Sequence, residues 1–341
     1  MRPSRQARIT RQFERRSTWW DRIYEQTSPE ARILRRRQQV ALSWVDELSL
    51  AKGSRVLEIG SGAGSTAVQL AKRGHVVCAL DRSPAMARLT KEHALTSGVG
   101  QAVTPLIGDA HRLMFAAGAF GLVIALGVLS WLDDPTAAID EMARVTRPGG
   151  HVLITSLNSL DVARLLDPKR TPLSWPAKQT RRLVASAFGR PLPDRVRPTR
   201  QTAWLVRRRL RRSGLIPIRQ TVVGFGPFTL LGKPLLSANR SVRVDEALQR
   251  RADSDGNVLR STGRLYLVLA RKPTEPDPVG GGSSFVADLR PASAMSVPIR
   301  GWSRAQHGGL QFTQSLRHLR SRTAWGNVRG WLRRLLRARG G

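Results

Sequence analysis

The chain has 341 residues, enough for one domain with a sizeable core and extensions, or for two small domains. Its single cysteine, Cys78, rules out a disulfide framework and any Cys/His zinc arrangement, so no metal site is expected. The formal charge of +33 is uneven: residues 51–160 carry 10 bases and 8 acids, an ordinary balance, while the flanks hold the other 47 bases and 16 acids.

In chain order, residues 1–27 read as a basic N-terminal arm, with 1–18 mobile. They lead into no apolar segment, so no secretory signal is expected there. Trp19, Trp20 and Tyr24 form a short aromatic stretch. Thr27 and Glu30 have capping-box spacing around Pro29, which predicts a helix over about 29–50. It would turn Ile33, Leu34, Val40, Leu42 and Val45 inward and the run Arg35, Arg36, Arg37 toward solvent.

The stretch from Arg55 to Asp81 organises the rest. Val56, Leu57 and Ile59 suit a buried parallel strand, and Gly60, Gly62 and Gly64 follow at every second position. Glycine there lets the backbone turn tightly and approach a ligand with helix amides aimed at it. A helix over about 65–73 ends at Gly74, and a second buried strand over 76–80 delivers Asp81 at its carboxyl end, where an acid can take both ribose hydroxyls. A dinucleotide turn needs a third glycine where Ser65 stands. Glu58, two residues before the first glycine, would repel a pyrophosphate and attract a positively charged ligand.

Ser83 and Pro84 open a further helix to about Leu95, and 103–107 reads as a third strand ending in Gly108-Asp109-Ala110-His111. Ala116 to Leu132 is the longest apolar run, shorter than the roughly 20 residues of a membrane span, and its second half reads as a fourth strand over 120–126. Asp134 and Pro135 start an amphipathic helix that ends at Arg147-Pro148-Gly149-Gly150, before a fifth strand over 151–155. Helical patterns follow over 160–166, 177–188, 199–213 and 233–251. Strands are predicted over 216–223 and, near an antiparallel edge, over 264–271. The stretch TEPDPVGGGSSF reads as a linker.

The motif Glu58-Ile-Gly-Ser-Gly-Ala-Gly resembles the first motif of the class I S-adenosylmethionine-dependent methyltransferases, whose cofactor carries an ammonium and a sulfonium but no phosphate. Gly108-Asp109-Ala110 and the R-x-x-R-P-G-G ending before a V-L-I strand are similar to later family features. One departure is Gly121, which stands where the family often has an acid. The resemblance covers about 54–156. It implies an α/β fold with a doubly wound, mostly parallel seven-stranded sheet, a helical N-terminal extension and a helical cap insertion. It also implies S-adenosylmethionine as cofactor, held by Glu58 and the turn Gly60, Ser61, Gly62, Ala63 and Gly64, by Asp81, Arg82 and Met86, by Asp109 and Ala110, and by Leu126. Asp109 would take the adenine amine. The helices ahead of the first motif would cover the substrate, making Trp20 and Tyr24 candidate lining residues.

Such a site mainly holds an acceptor in line with an already activated methyl and excludes water. A general base helps only for a hydroxyl or protonated amine, and His111 is the nearest titratable candidate. The Asn/Asp-Pro-Pro-aromatic motif of base and amide methylation is absent after the fourth strand, and Cys78 is misplaced for cytosine chemistry. A small, apolar or amphipathic acceptor, including lipid-linked or secondary-metabolite types, is therefore favoured over nucleic acid, with an RNA-modifying enzyme or a binding module on the same fold as alternatives. The expected organisation is a methyltransferase domain over 28–272, made of a cofactor core (51–156), a cap insertion (157–215) and closing strands (216–272), then a linker and basic tail (273–341). The tail is expected to be largely disordered; the alternative is a helix over 323–339, with Trp325, Val328, Leu332, Leu335 and Leu336 on one side and arginines on the other, that would associate with anionic membrane surfaces. The protein is expected to be cytoplasmic and peripheral at the membrane.

Overall fold

The computed structural model describes residues 4–171, 196–254 and 258–274. Five strands, β1 (Arg55–Ile59), β2 (Val76–Asp81), β3 (Val103–Ile107), β4 (Phe120–Ala125) and β5 (Thr146–Leu157), lie parallel. β9 (Leu265–Arg271) runs antiparallel between β5 and β6 (Ile216–Val223), giving the order β3-β2-β1-β4-β5-β9-β6. This is the mostly parallel seven-stranded sheet expected, and it reverses direction of travel between β1 and β4, where open α/β sheets bind ligands.

Alternating side chains feed two cores. Val56, Leu122, Ile124 and Leu153 pack with α3 (Pro29–Glu47) and α4 (Ser65–Lys72) on one face. Leu57, Ile59, Val123 and Ile154 pack on the other with α6 (Pro135–Val145) and with the helix over Ala203–Arg212, here α8. All six residues of β4 are buried, as the near-continuous apolar run requires when both faces are covered.

Helix starts follow cap chemistry. Ser83 and Asp134 cap α5 (Pro84–Thr96) and α6 through their side chains, each with a proline in the first turn. α3 is capped by Ser28, which accepts from the Ala31 amide, and not by Thr27. Arg147 to Gly150 belong to β5 instead of separating it from α6: pairing with β4 slips from Phe120 with Thr146 to Leu122 with His151, an irregularity that absorbs the extra residues. The helix expected over 160–166 shortens to α7 (Val162–Leu165), and that over 199–213 begins at Ala203, where Thr202 caps it. The one expected over 233–251 begins later, as α9 (Ala238–Asp253), because a two-stranded hairpin, β7 (Thr229–Leu230) and β8 (Lys233–Pro234), precedes it.

The N-terminal segment differs most from expectation. Residues 5–22 form α1 (Arg5–Glu14), capped by Ser4, and α2 (Ser17–Arg22). Ile9 is buried, Phe13 stacks on Trp20 with ring centres 5.4 Å apart and meets Trp131 edge-on at 5.0 Å, and Arg5 pairs with Asp133 at 2.6 Å. Ile9 and Phe13 stand at i and i+4, so one turn of helix aligns them while Arg11 between them stays outside. The helix expected over 177–188, the linker beyond Thr274 and the tail helix over 323–339 lie outside the described residues. Among the described residues no helix is long and apolar enough to cross a membrane.

Candidate active site

The turn after β1 needs glycine for two different reasons. Gly60 has φ +68°, and a Cβ there would stand 2.3 Å from Val128 Cγ2, so backbone and neighbour both forbid a side chain. Gly62 has φ +55° with nothing within 4 Å of a Cβ, an opening toward the cavity. Its amide donates to Asp81 Oδ2 at 3.0 Å while the Ser83 amide donates to Oδ1 at 2.9 Å. Asp81 is thereby fixed at the end of β2, with lone pairs left on both oxygens. Burial raises its pKa, opposed by those amides.

Glu58, on β1, is 2% exposed, and its Oε2 has no hydrogen-bond partner. Burial pushes its pKa up to about 8, against the Thr66 hydroxyl and the Arg37 charge. A buried carboxyl with an orphaned oxygen at a cavity wall is suited to a cationic ligand.

Arg37 supplies the opposite pole. It was expected in solvent, yet it is 6% exposed and lines the same cavity. Ile33, Arg37, Ala41 and Trp44 make one buried stripe of α3, so helical period carries Arg37 inward while its neighbour Arg36 reaches Asp253 on the surface. Arg37 Nη2 donates to the Tyr24 hydroxyl at 2.9 Å, and Nε has no partner. Gly127 lies against it so closely that a Cβ would be 2.6 Å from Nη1. Gln38 beside it donates to Ser65 Oγ at 2.9 Å and Thr66 Oγ1 at 3.2 Å, tying α3 to the first turn of α4.

At the end of β3, Asp109 accepts from Arg82 Nη1 at 2.8 Å and from the His111 amide at 3.0 Å. Its Oδ1 also lies 2.6 Å from His111 Nδ1. Burial acts to raise the Asp109 carboxyl, but the amide and ring of His111 and the Arg82 charge outweigh it and hold it below its usual range. The Asp134 amide donates to His111 Nε2 at 3.3 Å. Both ring nitrogens of His111 are thus engaged, and the residue does not line the cavity. The structure therefore does not put His111 where a base for an acceptor would stand.

These elements enclose a cavity of about 440 Å³ at the carboxyl ends of the strands. Glu58, Gly60, Ser61, Gly62, Ala63, Asp81, Arg82, Met86, Asp109, Ala110 and Leu126 all line it, whereas Gly64 caps α4 behind them. Trp20 and Tyr24 line it as well. Sequence reading missed Arg37 and the α1 residues Gln6, Ile9, Thr10 and Phe13; Trp131 lines the cavity too. The i, i+4 pair Ile9 and Phe13 was the signal for α1, masked by surrounding arginines. Polar and charged groups gather around the glycine turn, and Phe13, Trp20 and Trp131 give the cavity an aromatic wall.

Residues 57–154, from β1 into β5, match the model of a methyltransferase domain family. Ubiquinone biosynthesis O-methyltransferases are among the similar proteins. That of Pseudomonas aeruginosa (strain LESB58) is 29% identical over 140 residues, 41% of this chain and 58% of the relative. That of Xanthomonas axonopodis pv. citri is 29% identical over 199 residues, 55% of this chain and 73% of the relative. The match thus spans less than two thirds of the length of the first of these. A SAM dependent methyltransferase from Aquifex aeolicus overlaps 67% of this chain and 87% of its own, at 15% identity and a TM-score of 0.41. A geranyl diphosphate C-methyltransferase from Streptomyces coelicolor A3(2) overlaps 67% and 76%, at 14% identity and a TM-score of 0.42. The domain match coincides with the strands that build the cavity, so the cavity-building segment, residues 57–154, is similar to a methyltransferase domain.

Proposed function

We propose that the protein transfers a methyl group from S-adenosylmethionine to a small apolar or amphipathic acceptor, at an oxygen atom. The observation that carries this reading is the pairing of Glu58 and Arg37 at one cavity: a buried acid with an orphaned oxygen and a buried cation with an orphaned Nε. Together they complement an ammonium and a carboxylate, the two charges of an amino-acid group. Glu58 would hold the first and Arg37 the second. Asp81 would accept from the ribose hydroxyls and Asp109 from the adenine amine, with Arg82, Met86 and Ala110 beside the ring and Leu126 along its path. The backbone of Gly60, Ser61, Gly62 and Ala63 would face the cofactor, and Gly64 would act through α4.

The bound cofactor supplies a methyl group already activated on a sulfonium. What the chain adds is alignment and dryness: Phe13, Trp20 and Trp131 wall the cavity, hold a flat or apolar acceptor and keep water from it. His111 acts as a positioning residue that orients the Asp109 carboxylate. The oxygen acceptor is favoured by the names of the two similar sequences from Pseudomonas aeruginosa and Xanthomonas axonopodis, both ubiquinone biosynthesis O-methyltransferases.

The test is transfer of labelled methyl into a cell extract split into lipid, small-molecule, RNA and protein fractions. Label in the lipid or small-molecule fraction, lost in Arg37→Met, is the expected result. Label confined to RNA overturns the acceptor class, and tighter binding of NAD than of S-adenosylmethionine in calorimetry overturns the cofactor assignment.

A further inference from the structure

The hairpin between β6 and α9 displays apolar side chains that the fold does not bury. Leu231 and Gly232 form its two-residue tip, both at positive φ (+51° and +83°). Such a turn accommodates Asn-Gly or Gly-Gly, whereas a leucine in the left-handed region is strained. Leu230, Leu231 and Leu235 are 46%, 60% and 54% exposed. Strain and exposed apolar area coincide at one point, which neither core packing nor turn chemistry explains.

The tip is also braced. The carboxylate of Asp167, fully buried, accepts from the Thr229 hydroxyl and, at 3.0 Å, from the Gly232 amide. Arg170 Nη1 donates to Thr229 Oγ1 at 3.3 Å. Around the leucines stand Lys233, exposed on the hairpin, Arg170, and Lys169 alongside Gly232. Asp167 is the acid of this cluster, and its oxygens are engaged inward.

Topology sets the side on which the tip stands. Val223, at the end of β6, is in register with Leu265, and Leu265 with Leu157 at the end of β5. β6 therefore ends on the side where the parallel strands deliver Gly60, Asp81, Asp109 and Leu126. The hairpin rises from the same side of the sheet as the cavity.

We propose that this hairpin is a membrane-docking element. Leu230, Leu231 and Leu235 enter the interfacial layer of an anionic bilayer while Lys169, Arg170 and Lys233 meet its headgroups, which brings the cavity to an amphiphilic acceptor in the lipid. Only that last clause rests on the proposed methyl transfer.

The experiment is co-sedimentation of the full chain with vesicles of phosphatidylcholine alone or mixed with phosphatidylglycerol, with calorimetry of S-adenosylmethionine on the same samples. The wild type is expected to bind the mixed vesicles. The double variant Leu231→Asn, Leu235→Ser should bind about tenfold more weakly. Its cofactor affinity should be unchanged and its melting temperature no lower, since Asn relieves the turn. Absence of vesicle binding by the wild type, or equal binding by the variant, overturns the proposal; the second outcome would assign the contact to another basic segment. Sedimentation is read without turnover, so failure of methyl transfer with vesicle binding intact counts against the function and not against the hairpin.

Discussion

His111 Nδ1 lies 2.6 Å from Asp109 Oδ1, and the other ring nitrogen accepts the Asp134 amide. The imidazole is clamped between two loops and serves the acid beside it. His111→Ala should therefore weaken cofactor binding about three- to tenfold while kcat at saturating cofactor stays within about threefold. A general base would instead cost on the order of 100-fold or more in kcat. Steady-state kinetics at varied cofactor concentration separates the two.

Glu58 predicts a proton release. Its pKa is raised from 4.5 to about 8 by burial. A carboxyl raised in the folded state stabilises that state fully below its unfolded value and loses the contribution as pH climbs through about 8. A bound ammonium would favour the ionised form, so cofactor binding near pH 7 should release about one proton and tighten with pH up to about 8. Calorimetry in two buffers of different ionisation heat measures this. Glu58→Gln should abolish the release, weaken binding about 10- to 100-fold and leave the free protein relatively more stable above pH 8.

Gly60→Ala meets both a positive φ and Val128 at 2.3 Å. It should cost about 1–3 kcal/mol of stability and displace the turn enough to abolish detectable cofactor binding. The double variant Gly60→Ala, Val128→Ala removes the clash but not the φ, so thermal unfolding should show partial recovery. No recovery would mean that backbone strain alone dominates.

Phe13 joins α1 to the site through Trp20 and Trp131. Phe13→Ala should lower stability by about 1–3 kcal/mol, because α1 packs at the margin of the core, and should raise the acceptor KM several-fold. Cofactor affinity, read by calorimetry, should hardly change. A large loss of cofactor affinity would show that α1 holds the cofactor and not the acceptor.

What was legible in the sequence is what local chemistry dictates. The apolar run before the glycine turn, the prolines and caps opening α5 and α6, and acids at the ends of β1, β2 and β3 each declare themselves within a few residues, because backbone sterics and period-two or 3.6-residue alternation act at that range. Tertiary structure decided which of several equivalent faces turns inward. Arg35, Arg36 and Arg37 are one charge run in sequence; helical period puts Arg37 on the buried stripe of α3, and packing beside Gly127 and Tyr24 puts it into the cavity. His111 likewise follows Asp109 by two residues, which suggests a reactive pair, until the Asp134 amide closes its second nitrogen from 23 residues away. The α1 roof and the hairpin tip depend on contacts between segments distant along the chain, and no local pattern encodes a partner that only the fold supplies.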